Sequence, residues 1–124
     1  MQENEVYPAI GEEGFRSLVT AFYRQVPQDE VLGPMYPSGD FAGAEQRLRD
    51  FLIFRFGGPE HYIEKRGHPR LRMRHAPFPV DQTAREHWLR LMKQALTETA
   101  IPEEVKHILW AYFENTAAAM VNRA

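Results

Sequence analysis

Proline places the tightest limit on what this chain can fold into. A proline inside a helix removes a backbone hydrogen bond and clashes with the preceding turn, so long helices belong between the nine prolines, at positions 8, 27, 34, 37, 59, 69, 77, 79 and 102. Four intervals left free carry helical periodicity. Phe15, Leu18, Val19, Phe22, Tyr23 and Val26 recur at i, i+3, i+4, i+7, i+8 and i+11, an apolar stripe on one helix face. A second stretch runs from about Phe41 to Phe56 with Ala44, Leu48, Phe51 and Leu52 on one face, and Gly57-Gly58-Pro59 ends it. A third follows Asp81, a good N-cap, and carries Ala84, Trp88, Leu91, Met92, Ala95 and Leu96. Pro102 opens the fourth, which turns Val105, Ile108, Leu109, Tyr112, Phe113, Thr116 and Met120 inward. No run has the period of a strand. The pattern predicts an all-α fold of two helix pairs, one domain over residues 1–124.

Composition narrows the function classes. At 124 residues and 44% hydrophobic, the chain can bury one real core. A formal net charge of -2 argues against a general affinity for nucleic acid or membrane surfaces. Without cysteine, disulfides, thiolate metal sites and cysteine nucleophiles are excluded, which suits a reducing compartment. Met1-Gln2-Glu3-Asn4-Glu5 is acidic where a signal peptide would be basic, and no run approaches the ~18 apolar residues of a membrane span. A cytoplasmic protein is expected.

One segment breaks the amphipathic pattern. Between Gly57 and Asp81 apolar periodicity is weak, and the interval is long for a helix connection. From Lys65 to Val80 it holds five of the fifteen basic residues and no Asp or Glu, so it calls for an anionic neighbour. His75 sits there, between an arginine-rich stretch and Pro77-Phe78-Pro79. Taken alone it reads as a surface or capping histidine rather than a ligand. His61, His68, His75, His87 and His107 lack the HxxxH or HExxH spacing of zinc sites. Haem iron needs only one protein ligand, and its two propionates would suit the arginines.

Polar aromatics add a second signal. Tyr23 and Trp88 fall on the apolar stripes of two different helices, where a buried O–H or N–H needs a partner. Tyr36, held between Pro34 and Pro37, is a third. Each taken singly could reach a backbone carbonyl or the rim. Together they could serve a polar ligand.

The order of these motifs carries a family resemblance. Phe22-Tyr23, Met35-Tyr36-Pro37, Ala42-Gly43-Ala44-Glu45-x-Arg47-Leu48-Arg49-x-Phe51-Leu52, Gly57-Gly58-Pro59, Arg66-Gly67-His68-Pro69-Arg70-Leu71-Arg72-Met73-Arg74-His75 and Trp88-Leu89 follow one another along the chain. In that order and spacing they resemble a group II (O-type) truncated haemoglobin, from about Tyr7 to Asn122. The resemblance implies a shortened globin fold, a two-over-two helical sandwich enclosing haem b. It makes His75 the proximal iron ligand, its second ring nitrogen donating to a backbone carbonyl such as that of Leu71. It implies that Tyr23, Tyr36 and Trp88 surround the bound ligand on the opposite face, with Ala44 where larger globins often have a distal histidine and Leu48 one turn on. It further places Arg47, Tyr62, Arg66 and His68 near the propionates, and Phe51, Leu52, Met73, Phe78 and Met92 in the pocket wall. Two departures stand out: Gly11-Glu12-Glu13-Gly14 replaces adjacent glycines, and Phe56 stands where relatives often carry tryptophan.

The function implied is binding of dioxygen and other diatomic gases (nitric oxide, carbon monoxide), for transport, storage or sensing, with phenol and indole donors slowing ligand loss. The alternative is a redox enzyme of the nitric oxide dioxygenase or peroxidase type. It would need an external reductase, since the chain has no room for a flavin domain. A haem-free helical domain that binds a protein partner is the third class. Ile53, Phe54 and Phe56 lie beside the inward stripe of the second helix, which suggests apolar surface for a homodimer.

Overall fold

The computed structural model describes residues 1–36, 39–60 and 80–122. Among the described residues there are four α-helices and no strand: α1 (Val6–Gln25), α2 (Phe41–Arg55), α3 (Gln82–Glu98) and α4 (Glu103–Met120). Short 3-10 turns at Glu3–Glu5, Val26–Gln28 and Gly33–Met35 complete the described secondary structure.

The stripe of α1 is buried throughout: Phe15, Leu18, Val19, Phe22 and Val26 are fully enclosed and Tyr23 nearly so. The helix begins well before that stripe, at Val6, and it is not continuous. Gly11 takes φ 67° and ψ -175°, a left-handed φ that glycine adopts at little cost, and it breaks α1 into a short leading piece and a long one. Pro8 is accommodated in that leading piece because an N–H in the first turn has no intrahelical acceptor to lose.

Caps set the other boundaries. The Asp40 side chain accepts from the Gly43 N–H at 3.0 Å to start α2, and Asp81 accepts from the Ala84 N–H at 2.8 Å to start α3. In α4, Glu103 and Glu104 occupy the first turn, where carboxylates favour the positive end of the helix dipole. Past α4, Asn122 pairs reciprocally with Val80, N–H of Asn122 to O of Val80 and N–H of Val80 to Oδ1 of Asn122, both at 2.8 Å. The end of α4 is thereby pinned beside the start of α3.

Helix α1 is the hub. It packs on α2 and on α3, and α3 packs on α4. Polar ties reinforce the apolar contacts: Thr20 Oγ1 donates to Glu45 at 2.9 Å, and Gln25 Nε2 donates to the carbonyl of Leu91 at 2.9 Å. Burial of the side chains themselves, roughly 1.5–3 kcal/mol for each large apolar residue, outweighs those single bonds. Phe15, Phe22, Phe56 and Phe113 are the largest fully buried rings of this core.

Of the three residues expected to leave apolar surface on α2 for a homodimer, Phe56 is fully buried, Ile53 is 4% exposed and Phe54 is half-buried. The N-terminal segment helps to cover Phe56. Phe56 lies between Phe15, 6.1 Å between ring centres, and Tyr112, at 5.1 Å, and its carbonyl accepts from the Tyr7 N–H at 3.0 Å. Met1 is the only large apolar side chain exposed among the described residues. No described helix is long and apolar enough to cross a membrane.

Candidate functional site

The hydroxyls of Tyr23, on α1, and Tyr36, just past the Gly33–Met35 turn, stand 3.3 Å apart, with the rings edge to face at 5.7 Å. Tyr23 is 8% exposed and Tyr36 half-buried. Burial pushes both phenols above their ordinary 10.0; for Tyr23 the neighbouring Tyr36 pushes the same way, whereas the Tyr23 hydrogen bond and the Arg47 charge oppose the rise at Tyr36. Both are therefore neutral phenols with a proton to donate. One proton closes the bond between them. The other has no acceptor among the described residues, so with respect to these the pair offers a free O–H in a largely dry setting.

Trp88 reaches the same region from α3. Its indole lies 5.2 Å from the Phe22 ring and 5.4 Å from the Phe113 ring, and Phe22 also meets Tyr23 edge to face at 5.0 Å. Phe22 thus fixes the spacing between the tyrosine pair and the indole. Trp88 is half-buried, and its N–H makes no hydrogen bond to a described residue.

Of the remaining sequence candidates, Ala44, Phe51, Leu52 and Met92 are buried and Leu48 is half-buried. Arg47 is exposed, 3.6 Å from the Asp40 carboxylate. His75, Tyr62, Arg66, His68, Met73 and Phe78 lie outside the described residues. Among the described residues no group of three or more His, Asp or Glu is placed to hold a metal ion. A set of neutral O–H and N–H donors in a half-buried aromatic setting fits a small electron-rich ligand such as a diatomic molecule held on haem iron.

A further polar cluster was not legible in the sequence. The Asp29 carboxylate is 4% exposed and accepts from the N–H groups of Val31 at 2.9 Å and Leu32 at 2.8 Å. Both its oxygens lie 3.0 Å from Nδ1 of His87, and Arg90 approaches at 3.3 Å. Burial alone would raise its carboxyl, but the Leu32 N–H, His87 and the Val31 N–H together hold it below the ordinary 3.8. An aspartate two residues before a turn amide is a local signature. Its partner 58 residues away leaves none.

A model of the bacterial-like globin family matches residues 5–122. The chain belongs to that family. Group 2 truncated hemoglobin YjbI of Bacillus subtilis is 39% identical to it over 97% of this chain and 90% of its own length. Group 2 truncated hemoglobin 3-1 of Lotus japonicus is 36% identical over 98% of this chain and 74% of its own length. Among solved structures, the hemoglobin of the thermophilic phototrophic bacterium Chloroflexus aurantiacus superimposes with a TM-score of 0.91 at 44% identity, covering 95% of this chain and 98% of that one. The thermostable hemoglobin of Thermobifida fusca gives 0.91 at 47% identity, covering 94% and 96%. The fold is the two-over-two globin fold of the group 2 truncated haemoglobins, as the motif order implied. Membership brings haem as cofactor and haem-based gas binding as the general activity.

Proposed function

We propose that this globin binds haem b through His75 and retains dioxygen, in preference to carbon monoxide, through hydrogen bonds from Tyr23, Tyr36 and Trp88. Haem, when bound, supplies the iron at which a diatomic gas is held. Every other part is the work of this chain's side chains. The Tyr23–Tyr36 pair, with one hydroxyl proton that meets no acceptor among the described residues, is the observation that supports the reading. A donor already desolvated and held in place by its neighbour loses little entropy when it engages a ligand, so its hydrogen bond is worth more than an exposed one. Trp88 adds an N–H from the side of α3, and its ring, wedged between Phe22 and Phe113, excludes water from the tyrosines. Phenol and indole donate to an oxygen ligand that carries partial negative charge and gain little from carbon monoxide, which is the basis of the preference. Arg47, Tyr62, Arg66 and His68 would meet the propionates, while Ala44, Leu48, Phe51, Leu52, Met73, Phe78 and Met92 would close the pocket. The retention time these donors set decides between storage, transport and sensing.

The test begins with an absorption spectrum of the purified protein, where a Soret band near ~400 nm at about one haem per chain is the expected result. His75→Gly should abolish or shift it. A haem-supplemented protein with no band, or a His75→Gly protein with an unchanged one, would overturn the assignment. Oxygen dissociation measured by stopped flow should then quicken in Trp88→Ala.

A further inference from the structure

We propose that Asp29 and His87 form a latch that holds the Tyr36-bearing loop against the Trp88-bearing helix, which makes them positioning residues for ligand retention. The inference rests on the reading of Tyr36 and Trp88 given above, and it concerns two residues that need not touch the ligand themselves.

One carboxylate organises the whole connection between α1 and Tyr36. Its Oδ1 takes the N–H groups of Val31 and Leu32, and the Asp29 carbonyl takes the N–H of Gly33 at 3.0 Å, where the turn leading to Tyr36 begins. On its other side the same carboxylate faces α3. His87 immediately precedes Trp88, so fixing the His87 ring fixes the rotation of α3 where the indole projects. The latch therefore joins the mounts of two of the three aromatic donors.

Charge and exposure decide which partner matters. Arg90 has a side chain 66% exposed, and its attraction is screened by water, whereas the His87 side chain is 16% exposed. With Asp29 ionised, Nδ1 of His87 must carry a proton, because a lone pair aimed at two carboxylate oxygens would repel them. Arg90 lies 3.3 Å from that same nitrogen but cannot donate to it; both groups donate to Asp29. Burying a hydrogen-bonded polar pair contributes little net stability over apolar packing, and what it adds is direction. Here that direction sets the distance between Tyr36 and Trp88.

The experiment compares wild-type holoprotein with His87→Ala, His87→Asn and Tyr36→Phe, alone and combined, reading oxygen dissociation and amide hydrogen exchange at Val31 and Leu32. Asparagine presents an N–H near the position of Nδ1 and serves as the rescue. Loss of the latch should raise the oxygen dissociation rate about two- to tenfold and speed exchange at both amides, His87→Asn should restore both, and His87→Ala should add less in the Tyr36→Phe background, where only Trp88 is left to position. If Tyr36→Phe raises the dissociation rate but His87→Ala leaves it at the wild-type value, the latch is overturned. If Tyr36→Phe itself changes nothing, the distal-donor reading has failed instead; unchanged exchange in His87→Ala would then independently remove the latch. Should His87→Ala not fold, His87→Leu, which fills the space without a donor, takes its place under the same criteria.

Discussion

Thirteen residues separate Tyr23 from Tyr36 along the chain, yet their hydroxyls meet at 3.3 Å with the rings edge to face. The contact draws the loop after α1 back over the helix that launches it. It also makes the two phenols a unit, because only one proton is needed to join them and the second is left for something else. Dry surroundings keep both neutral, so neither competes with a ligand by carrying charge of its own.

From that sharing follows a non-additive pattern. Tyr23→Phe or Tyr36→Phe alone leaves a buried hydroxyl without its partner and should cost about 1 kcal/mol of stability. The double substitution removes both polar groups and should cost less than the sum of the two. Oxygen dissociation is expected to quicken in each single variant, about two- to tenfold, with little further gain in the double. Chemical denaturation and stopped-flow measurements on the four proteins check both statements; simple additivity in either would show that the hydroxyls act independently.

Acid should protonate Asp29 late. Its folded-state carboxyl lies below the ordinary 3.8, so the stability it contributes is present in full above that value and is lost as the pH falls through the folded-state value. The groups facing it are His87, Arg90 and the N–H groups of Val31 and Leu32, all of them donors whose bonds weaken when protonation removes the carboxylate charge. In Asp29→Asn the slope of stability against pH below 3.8 should flatten, while at neutral pH stability drops by about 2–3 kcal/mol. Unfolding curves collected from neutral to acid pH on the two proteins give the comparison.

These features differ in how far local sequence could disclose them. The four helices were legible because prolines bound them and each stripe repeats at a helical period; Tyr23 and Trp88 were legible because they interrupt apolar stripes with polar atoms. Phe56 was misplaced for the opposite reason. Its cover is the segment around Tyr7, which has no periodic signal, so nothing local announces that the last turn of α2 is enclosed. Asp29 and His87 meet across 58 residues, and neither helix periodicity nor turn chemistry encodes that pairing. The role proposed for His75 rests on motif order, since a single histidine in a basic stretch reads first as a surface or capping residue.

Gly57 offers a sharp test of the N-terminal cover. It takes φ 96°, and a Cβ there would collide with the backbone carbonyl of Asn4. Gly57→Ala must therefore both strain the backbone and push the first residues off the end of α2, where Tyr7 donates to Phe56. A loss of about 2–3 kcal/mol is expected. Gly11→Ala, also at positive φ but with open space around its Cβ, should lose only about 1–2 kcal/mol. Thermal unfolding of both variants ranks them, and equal losses would mean that contact with Asn4 contributes nothing.

Phe113 joins stability to the site. It is 2% exposed and its ring lies 5.4 Å from Trp88, so its removal opens a cavity directly behind the indole. Phe113→Ala should cost about 3–5 kcal/mol, since neighbours in a packed core relax only partly into such a space. Trp88 would gain room to turn, and its N–H would spend less time toward the ligand, so oxygen dissociation should rise as well. Val105→Ala is the control. It lies on the same buried face of α4, two turns away and roughly 12 Å along the axis, and is fully buried, so it should lose stability with the dissociation rate unchanged. A parallel rise in both variants would mean that general loosening, and not the support of Trp88, controls retention; a rise in Phe113→Ala alone ties the indole's placement to the ring behind it.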